Sequence, residues 1–496
     1  MADFLWGVAT ASYQSEGGYN GPGQPRNNWA RVENERDVAR TGRAADFWVR
    51  WPEDLERCAA MGLNAFRMGI DWTRVEPERD RFDVDALAKY AEIIGACMEK
   101  GLEPVVTLHH FTHPEWAGVD AWLRPATAPL FERFVKTAVA FVNSRLPRPV
   151  AWWITVNEPN MLVLNTYVGR QFPGKARIGF RTVVQAYNGL LAGHVLAYNA
   201  IHDLYERSGW PAPNVTLNNF CADLYLSDKV VLDLLSLAER GIPREGVDAH
   251  LREKSAEFAR ELTAARIPLR RDLPYWCGAV FKWISLKAGE RWLRAENLGP
   301  LLDAVYASPR KRLLDVIALD YYDPFTAHAF RVPVWWDHEF KNKSFRSWVI
   351  NSITSKWWDW KALPRGLRFF CEYYARDFGG RPLIIAENGM ALRRRPDNRH
   401  TPRRDRLTRS EFLRMHLREV MEIARDGIPL AGYLHWSLTD NFEWGTFTPR
   451  FGLFSLDYTK GTDRLAEDHH GDRPSETYAA LVREARDQAA ARRNDV

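Results

Sequence analysis

Eight short apolar runs recur along this chain at intervals too wide for hairpins, and that spacing restricts the fold more than any other feature. They are FLWGVAT from Phe4, NAFRMGI from Asn64, EPVVTLHHF from Glu103 and WWITVNEP from Trp152, then NVTLNNFC from Asn214, DVIALDYY from Asp315, PLIIAENG from Pro382 and LAGYLHWSL from Leu430. Each is strand-length and nearly continuous in its apolar character, as expected of a strand buried on both faces. Helix-period stretches separate them, such as residues 52–62, 85–101, 130–146 and 410–428. Gly62 and Gly101 close two of these stretches and Gly427 comes near the end of a third, where a left-handed C-cap would end the helix. Eight alternations predict an α/β fold with a parallel sheet closed into a single (β/α)8 TIM barrel. The expected catalytic domain is 1–485, followed by a polar tail at 486–496. Two stretches break the rhythm, residues 228–312 and a Trp-rich loop at 331–361. In such barrels long βα-loops build the active-site face.

Composition removes several classes of function. A net charge of +5 spread over 496 residues, with dispersed arginines, argues against a nucleic-acid binder. The five cysteines are scattered and show no C-x-x-C spacing, so they read as reduced packing residues. The start of the chain shows no basic region followed by an apolar core, and no apolar run is long enough for a bilayer. A cytoplasmic protein is the expectation. HHFTH (His109, His110, His113) and DHH (Asp468, His469, His470) lack further ligands at fixed spacing, so no metal and no cofactor are expected.

The fourth and seventh apolar runs end unusually, in Asn157-Glu158-Pro159 and in Glu387-Asn388-Gly389. Barrel chemistry sits at the C-terminal ends of strands, and strands four and seven lie nearly opposite each other across the mouth. Two carboxyl groups facing over a cleft are what glycosidic-bond cleavage needs. One is neutral, to protonate the departing oxygen, and the other charged, to attack the sugar carbon. A single strand-end glutamate is more often a salt-bridge partner; two at these positions favour the catalytic pair.

TVNEP and IAENG resemble the two signature motifs of the family 1 glycoside hydrolases, the retaining β-glucosidase and β-galactosidase family. The resemblance runs from FLWGVATASYQSEGG to YLHWSLTDNFEWGTFTPRFGLFSLD and covers nearly the whole chain. It implies that Glu158 is the acid/base and Glu387 the nucleophile, with carboxyl groups ~5 Å apart. It further implies that Gln14, His110 and Asn157 bind sugar hydroxyls and that Tyr322 hydrogen-bonds the nucleophile. Trp436 would lie under the sugar ring, Glu443 and Trp444 would grip the outer hydroxyls, and Trp360 would wall the aglycone site. Arg67 would sit beside the nucleophile and hold it ionised. Members that cleave 6-phosphoglycosides carry a small polar residue where Glu443 stands, so an unphosphorylated sugar is expected. Asp320 stands where the family usually has asparagine, Phe111 where it has tryptophan and Asn160 where it has an aromatic.

The implied function is hydrolysis of β-D-glycosides by double displacement. Transfer of the sugar to an alcohol or lipid acceptor would use the same intermediate, whereas a sugar-binding barrel without catalysis would lack one of the glutamates. PYWCGAVFKWISLKAGERWLR, from Pro274, mixes aromatics with Lys and Arg. Most of these aromatics are expected to pack the loops; some could form a mouth for a hydrophobic aglycone or a membrane surface.

Overall fold

The computed structural model of the chain describes residues 4–35, 38–169, 172, 179–326, 356–395 and 397–494. All eight apolar runs form strands: β1 (Leu5–Ala9), β2 (Ala65–Gly69), β3 (Glu103–Thr107), β4 (Trp152–Asn157), β5 (Asn214–Phe220), β6 (Ile317–Tyr321), β7 (Leu383–Asn388) and β8 (Leu430–Trp436). They pair in parallel in chain order, and β1 closes on β8 from Leu5↔Gly432 to Ala9↔Trp436. This is the predicted (β/α)8 barrel.

The helices on the outside are α1 (Phe47–Ala60), α2 (Val84–Glu99), α3 (Thr127–Asn143), α4 (Phe180–Ser208), α5 (Val247–Ala264), α6 (Leu273–Trp292), α7 (Gly299–Ala307), α8 (Pro364–Asp377), α9 (Arg409–Arg425) and α10 (Pro474–Asn494). Local chemistry fixes their ends. Thr408 and Glu411 form a reciprocal capping box at the start of α9, and Gly209 takes the left-handed conformation that stops α4. Residues 486–494, part of the stretch expected as a polar tail, continue α10, with Arg486, Asp487 and Gln488 exposed. The excursion 228–312 folds as a short buried helix, Val230–Leu235, followed by α5 to α7 with short turns between them. Of the Trp-rich loop, Trp335, Trp336 and Trp348 lie outside the described residues. No helix among the described residues is long and apolar enough to cross a membrane.

Strand alternation sorts side chains into two layers. Leu5, Ala9, Ala65, Val105, Ile154, Ala318, Ile384 and Leu434 form one apolar cluster, while Trp6, Phe66, Val106, Trp153, Leu319 and Ile385 belong to another that joins strands to helices. Small and branched residues thus fill the barrel, and toward its C-terminal end the same inward stripes turn polar. Ala65 is followed two residues later by Arg67, Val105 by Thr107 and Ala318 by Asp320. A register shift between β6 and β7 then sets Asp320 beside Glu387, and one between β4 and β5 sets Asn157 beside Asn218. The barrel therefore ends in a layer of buried polar groups.

Candidate active site

Glu387 is the best-held member of that layer. The guanidinium of Arg67 donates from Nη1 to Glu387 Oε1 at 2.7 Å, and the Tyr322 hydroxyl donates to Glu387 Oε2 at 2.7 Å. Arg67 is fully buried and anchored on three further acceptors: Thr107 Oγ1 at 3.1 Å, the Ala386 carbonyl at 3.1 Å and Asn157 Oδ1 at 2.5 Å. Charge-assisted bonds from both sides fix the carboxylate plane. Gly389 follows because a Cβ there would run into the Trp436 carbonyl, so any larger residue would push the β7 and β8 tips apart.

Glu158 leaves β4 with φ of 37° and ψ of 62°, a left-handed conformation rare for a non-glycine residue, and Pro159 then opens a short helix. Its backbone N–H is tied to the Asn218 carbonyl at 3.0 Å. The turn lifts its side chain out of the strand's alternation, and strain of this kind gathers at functional sites. An oxygen of Glu158, one of Asp320 and one of Glu387 all lie within 4.8 Å of one another.

Three buried carboxyl groups beside one arginine cannot all be charged at moderate cost. Burial, then the charges of Glu387 and Asp320, push Glu158 well above the usual carboxylate range. Burial and Glu387 push Asp320 up as well. Burial also raises Glu387, but Arg67 and the Tyr322 hydroxyl oppose it, while Glu158 has no such cation-held carboxylate geometry. The asymmetry favours Glu387 as the member best placed to be ionised, while burial and neighbouring charge raise Glu158 and Asp320. Asp320 also accepts from Asn218 Nδ2, which donates to Asn157 Oδ1 at 2.6 Å.

The pocket above these groups has a polar end. Gln14 Nε2 donates to Glu443 Oε2 at 3.0 Å and to Asn441 Oδ1 at 3.2 Å, and Trp436 Nε1 donates to Glu443 Oε1 at 3.0 Å. Burial pushes Glu443 up to about 8, with these donors working against the shift. The ring of Trp436 lies nearly parallel to that of His110, 5.7 Å away, and burial followed by the Arg67 charge keeps His110 neutral. Trp444 is wedged against Phe111 at 4.5 Å and Trp29 at 5.0 Å. At the opposite end Trp360 meets Phe220, whose ring stacks on Tyr322 at 6.0 Å.

Nine of the residues singled out in the sequence line this one pocket: Gln14, His110, Glu158, Tyr322, Trp360, Glu387, Trp436, Glu443 and Trp444. Arg67, Asn157 and Asp320 stand behind it, bonded to those that do. Four buried polar atoms of the lining, Gln14 Oε1, His110 Nδ1, Glu158 Oε1 and Trp360 Nε1, have no hydrogen-bond partner among the described residues. Buried polar atoms are rarely left so, and a ligand rich in hydroxyl groups would satisfy them.

Asn218 and Asn441 were not singled out, since an asparagine in a strand or loop usually reads as turn chemistry. Asn218 does carry the signal that marked Asn157, a polar residue near the end of an apolar strand. Asn160 is structural: its amide donates to the Phe220 and Ser227 carbonyls at 2.8 and 2.7 Å, tying the tip of β4 to the loop after β5. The remaining HHFTH histidines have local partners. His109 Nε2 accepts from Trp122 Nε1 at 3.1 Å, and His113 Nε2 lies 2.9 Å from the Gly118 carbonyl. In DHH, Asp468 accepts from Arg409 at 2.9 Å.

A family model described as Glycosyl hydrolase family 1 matches residues 1–217 and 290–470. A 6-phospho-beta-galactosidase 1 of Streptococcus pneumoniae is 27% identical over 477 residues, covering 92% of this chain and 93% of its own. The 1,4-beta-D-glucan glucohydrolase of Thermotoga neapolitana is 25% identical over 478 residues, covering 92% of this chain and 97% of its own. Among solved structures, a beta-glucosidase from Thermotoga maritima in complex with castanospermine shares the fold with a TM-score of 0.68, at 21% identity and over 98% of both chains.

Proposed function

The chain belongs to glycosyl hydrolase family 1, and on that premise we propose that it is a retaining β-glycosidase acting on non-phosphorylated β-D-glycosides. The observation that carries this reading is the pair Glu158 and Glu387. One carboxyl oxygen of each lies within 4.8 Å of one of the other, with a cation bonded to Glu387 alone. Retaining enzymes hold their carboxyl groups ~5–5.5 Å apart, whereas inverting enzymes need ~6.5–9.5 Å to admit water.

In the proposed cycle Glu387 attacks the anomeric carbon while Glu158 gives its proton to the departing oxygen. A glycosyl ester forms on Glu387 and its charge is lost. Glu158, now charged, takes a proton from water as the water attacks the anomeric carbon from the face opposite Glu387, breaking the bond to the ester oxygen and restoring the Glu387 carboxylate. Two inversions give net retention. His110 offers a hydrogen bond to the sugar near the reacting carbon, and Asn157, fixed by Arg67 and Asn218, stands behind it with its amide nitrogen toward His110. Gln14 and Glu443 offer them at the far end, and Trp436 supplies the apolar floor. Trp360 and Phe220 receive the aglycone.

The sugar end supports an unphosphorylated substrate. Among the described residues lining the pocket there is no Lys or Arg, and a carboxyl group occupies its polar end. A phosphate there would be stripped of water without a counter-charge. Aryl β-D-glucoside, galactoside and fucoside, each with its 6-phosphate where one exists, test this by kcat/KM. At least one unphosphorylated sugar should exceed its phosphorylated counterpart by on the order of 10²-fold or more. Faster turnover of a 6-phosphoglycoside would overturn the assignment and align this chain with its 6-phospho-beta-galactosidase relatives.

Asp320 should set the alkaline limb of the pH profile. In the folded protein it lies beside the proton that Glu158 must keep, and its own charge, once formed, makes that proton harder to lose. Asp320→Asn removes the charge and so lowers the pKa of Glu158. The falling limb of kcat/KM should move to lower pH, since it marks loss of the Glu158 proton. An alkaline limb that stays in place would mean that Asp320 is neutral throughout the range and contributes hydrogen bonds alone.

A further inference from the structure

Helix α6 lies almost wholly in the interval between the two segments that match the family model, and it presents an apolar face to solvent. Leu273, Trp276, Val280, Trp283 and Ile284 are all more than half exposed, from 54% for Ile284 to 76% for Leu273. At about 100° per residue they fall in a single stripe about 100° wide. Both tryptophans found exposed among the described residues are on it. Scattered exposed apolar residues need no explanation, but five on one helical stripe do.

Cations bracket the stripe. Arg270 and Arg271 precede its first turn, and Lys287 and Arg291 continue the same face beyond Ile284, all four exposed. From Arg266 to Arg294 there are seven Lys or Arg residues against two acids, Asp272 and Glu290. The helix is also joined to the mouth of the pocket. Lys282 donates to Asp223, three residues past Phe220, which lines the pocket at the end of β5.

We propose that α6 docks this protein on an anionic lipid surface, with its apolar stripe in the headgroup region and its cations on the lipid phosphates. Tryptophan with aliphatic residues on one helix face, edged by Lys and Arg, is the composition of helices that lie in a membrane interface. A second copy of the chain is the less suitable occupant. A two-fold contact would set these cations against themselves, and like charges at short range oppose association. Through Lys282 and Asp223 the docked helix would hold the pocket mouth beside the lipid surface.

Flotation of the full chain with vesicles tests this without relying on the glycosidase reading. Wild type should float with vesicles of phosphatidylglycerol and phosphatidylcholine, much less with phosphatidylcholine alone, and less as salt is added. Trp276→Ser with Trp283→Ser and Ile284→Ser should weaken binding at least tenfold, an order-of-magnitude expectation for losing the inserted face. Replacing Arg270, Arg271, Lys287 and Arg291 by Gln should weaken it by about fivefold per charge. Circular dichroism and thermal melting of each variant should match wild type, so lost binding is separable from lost fold. Wild type that does not float with anionic vesicles would overturn the proposal, as would variants that float as well as wild type. Sedimentation showing a dimer that the serine variant converts to monomer would replace the lipid surface with a second copy.

Discussion

Glu387→Gln is expected to lower kcat on an aryl β-glucoside by about 10⁵–10⁶, the scale lost when a covalent nucleophile is removed from a preorganised site. Glutamine keeps the shape, and its amide oxygen can still accept from Arg67 or Tyr322, so binding should survive where attack does not. Alanine would add a second effect. Both variants remove the charge that pairs with buried Arg67, but alanine also removes the oxygen that accepts from Arg67 and Tyr322, and breaking such a pair outright costs about 3–5 kcal/mol. The melting temperature should therefore fall further for Glu387→Ala than for Glu387→Gln. Azide can enter the space that alanine opens and attack the β-glycoside from the face that Glu387 used, giving an α-glycosyl azide. Comparison of kcat and melting curves for the two variants checks the account. A Gln variant that retains a tenth of wild-type turnover would remove Glu387 from the role of nucleophile.

Glu158→Ala should show a loss that depends on the leaving group. A poor leaving group needs a proton in the first transition state, and general acid help is worth roughly 10²–10⁴-fold. An activated aryl glycoside departs without it, so its first step should be nearly untouched and its second step, where Glu158 serves as base, should limit turnover. Added azide should bypass that second step and yield a β-glycosyl azide, because it attacks the ester on Glu387 from the Glu158 side. A series of aryl β-glycosides of graded leaving-group pKa measures this. Equal losses across the series would contradict the acid role. In wild type the alkaline limb of activity should lie well above the ordinary carboxylate range, since burial and two neighbouring carboxyl groups raise Glu158.

The barrel was legible because parallel strands buried on both faces leave continuous apolar runs, and each of the eight runs became a strand of the closed sheet. The catalytic candidates were legible for the converse reason. A glutamate that ends such a run breaks a strong pattern, as Glu158 and Glu387 do. Local pattern did not show what joins them; Arg67 and Tyr322 were expected beside Glu387 through the family resemblance alone, and they are there. Arg67, Asn157, Asn218 and Asp320 come from β2, β4, β5 and β6, and a single-residue register shift decides that Asp320 faces Glu387. No local pattern encodes that shift. Helix α6 shows the same limit from another side. Its sequence is apolar around most of its circumference, so periodicity could not say which face the protein would cover. Trp292 packs on the core, while Trp276 and Trp283, on the same helix, do not. Packing the loops, the expectation for most of these aromatics, holds for Trp292, Trp357 and Trp358 and fails for that pair.

Covalent capture of the intermediate is the most direct test of the account. A 2-deoxy-2-fluoro β-glycoside with a good leaving group slows both steps by withdrawing charge from the oxocarbenium-like transition states, and the good leaving group rescues the first step alone. Incubation with the sugar that the enzyme turns over best should add one fluoroglycosyl unit to the intact mass, and peptide mapping should place it on Glu387. An adduct on any other residue, or no adduct from enzyme that hydrolyses the parent glycoside, would contradict it.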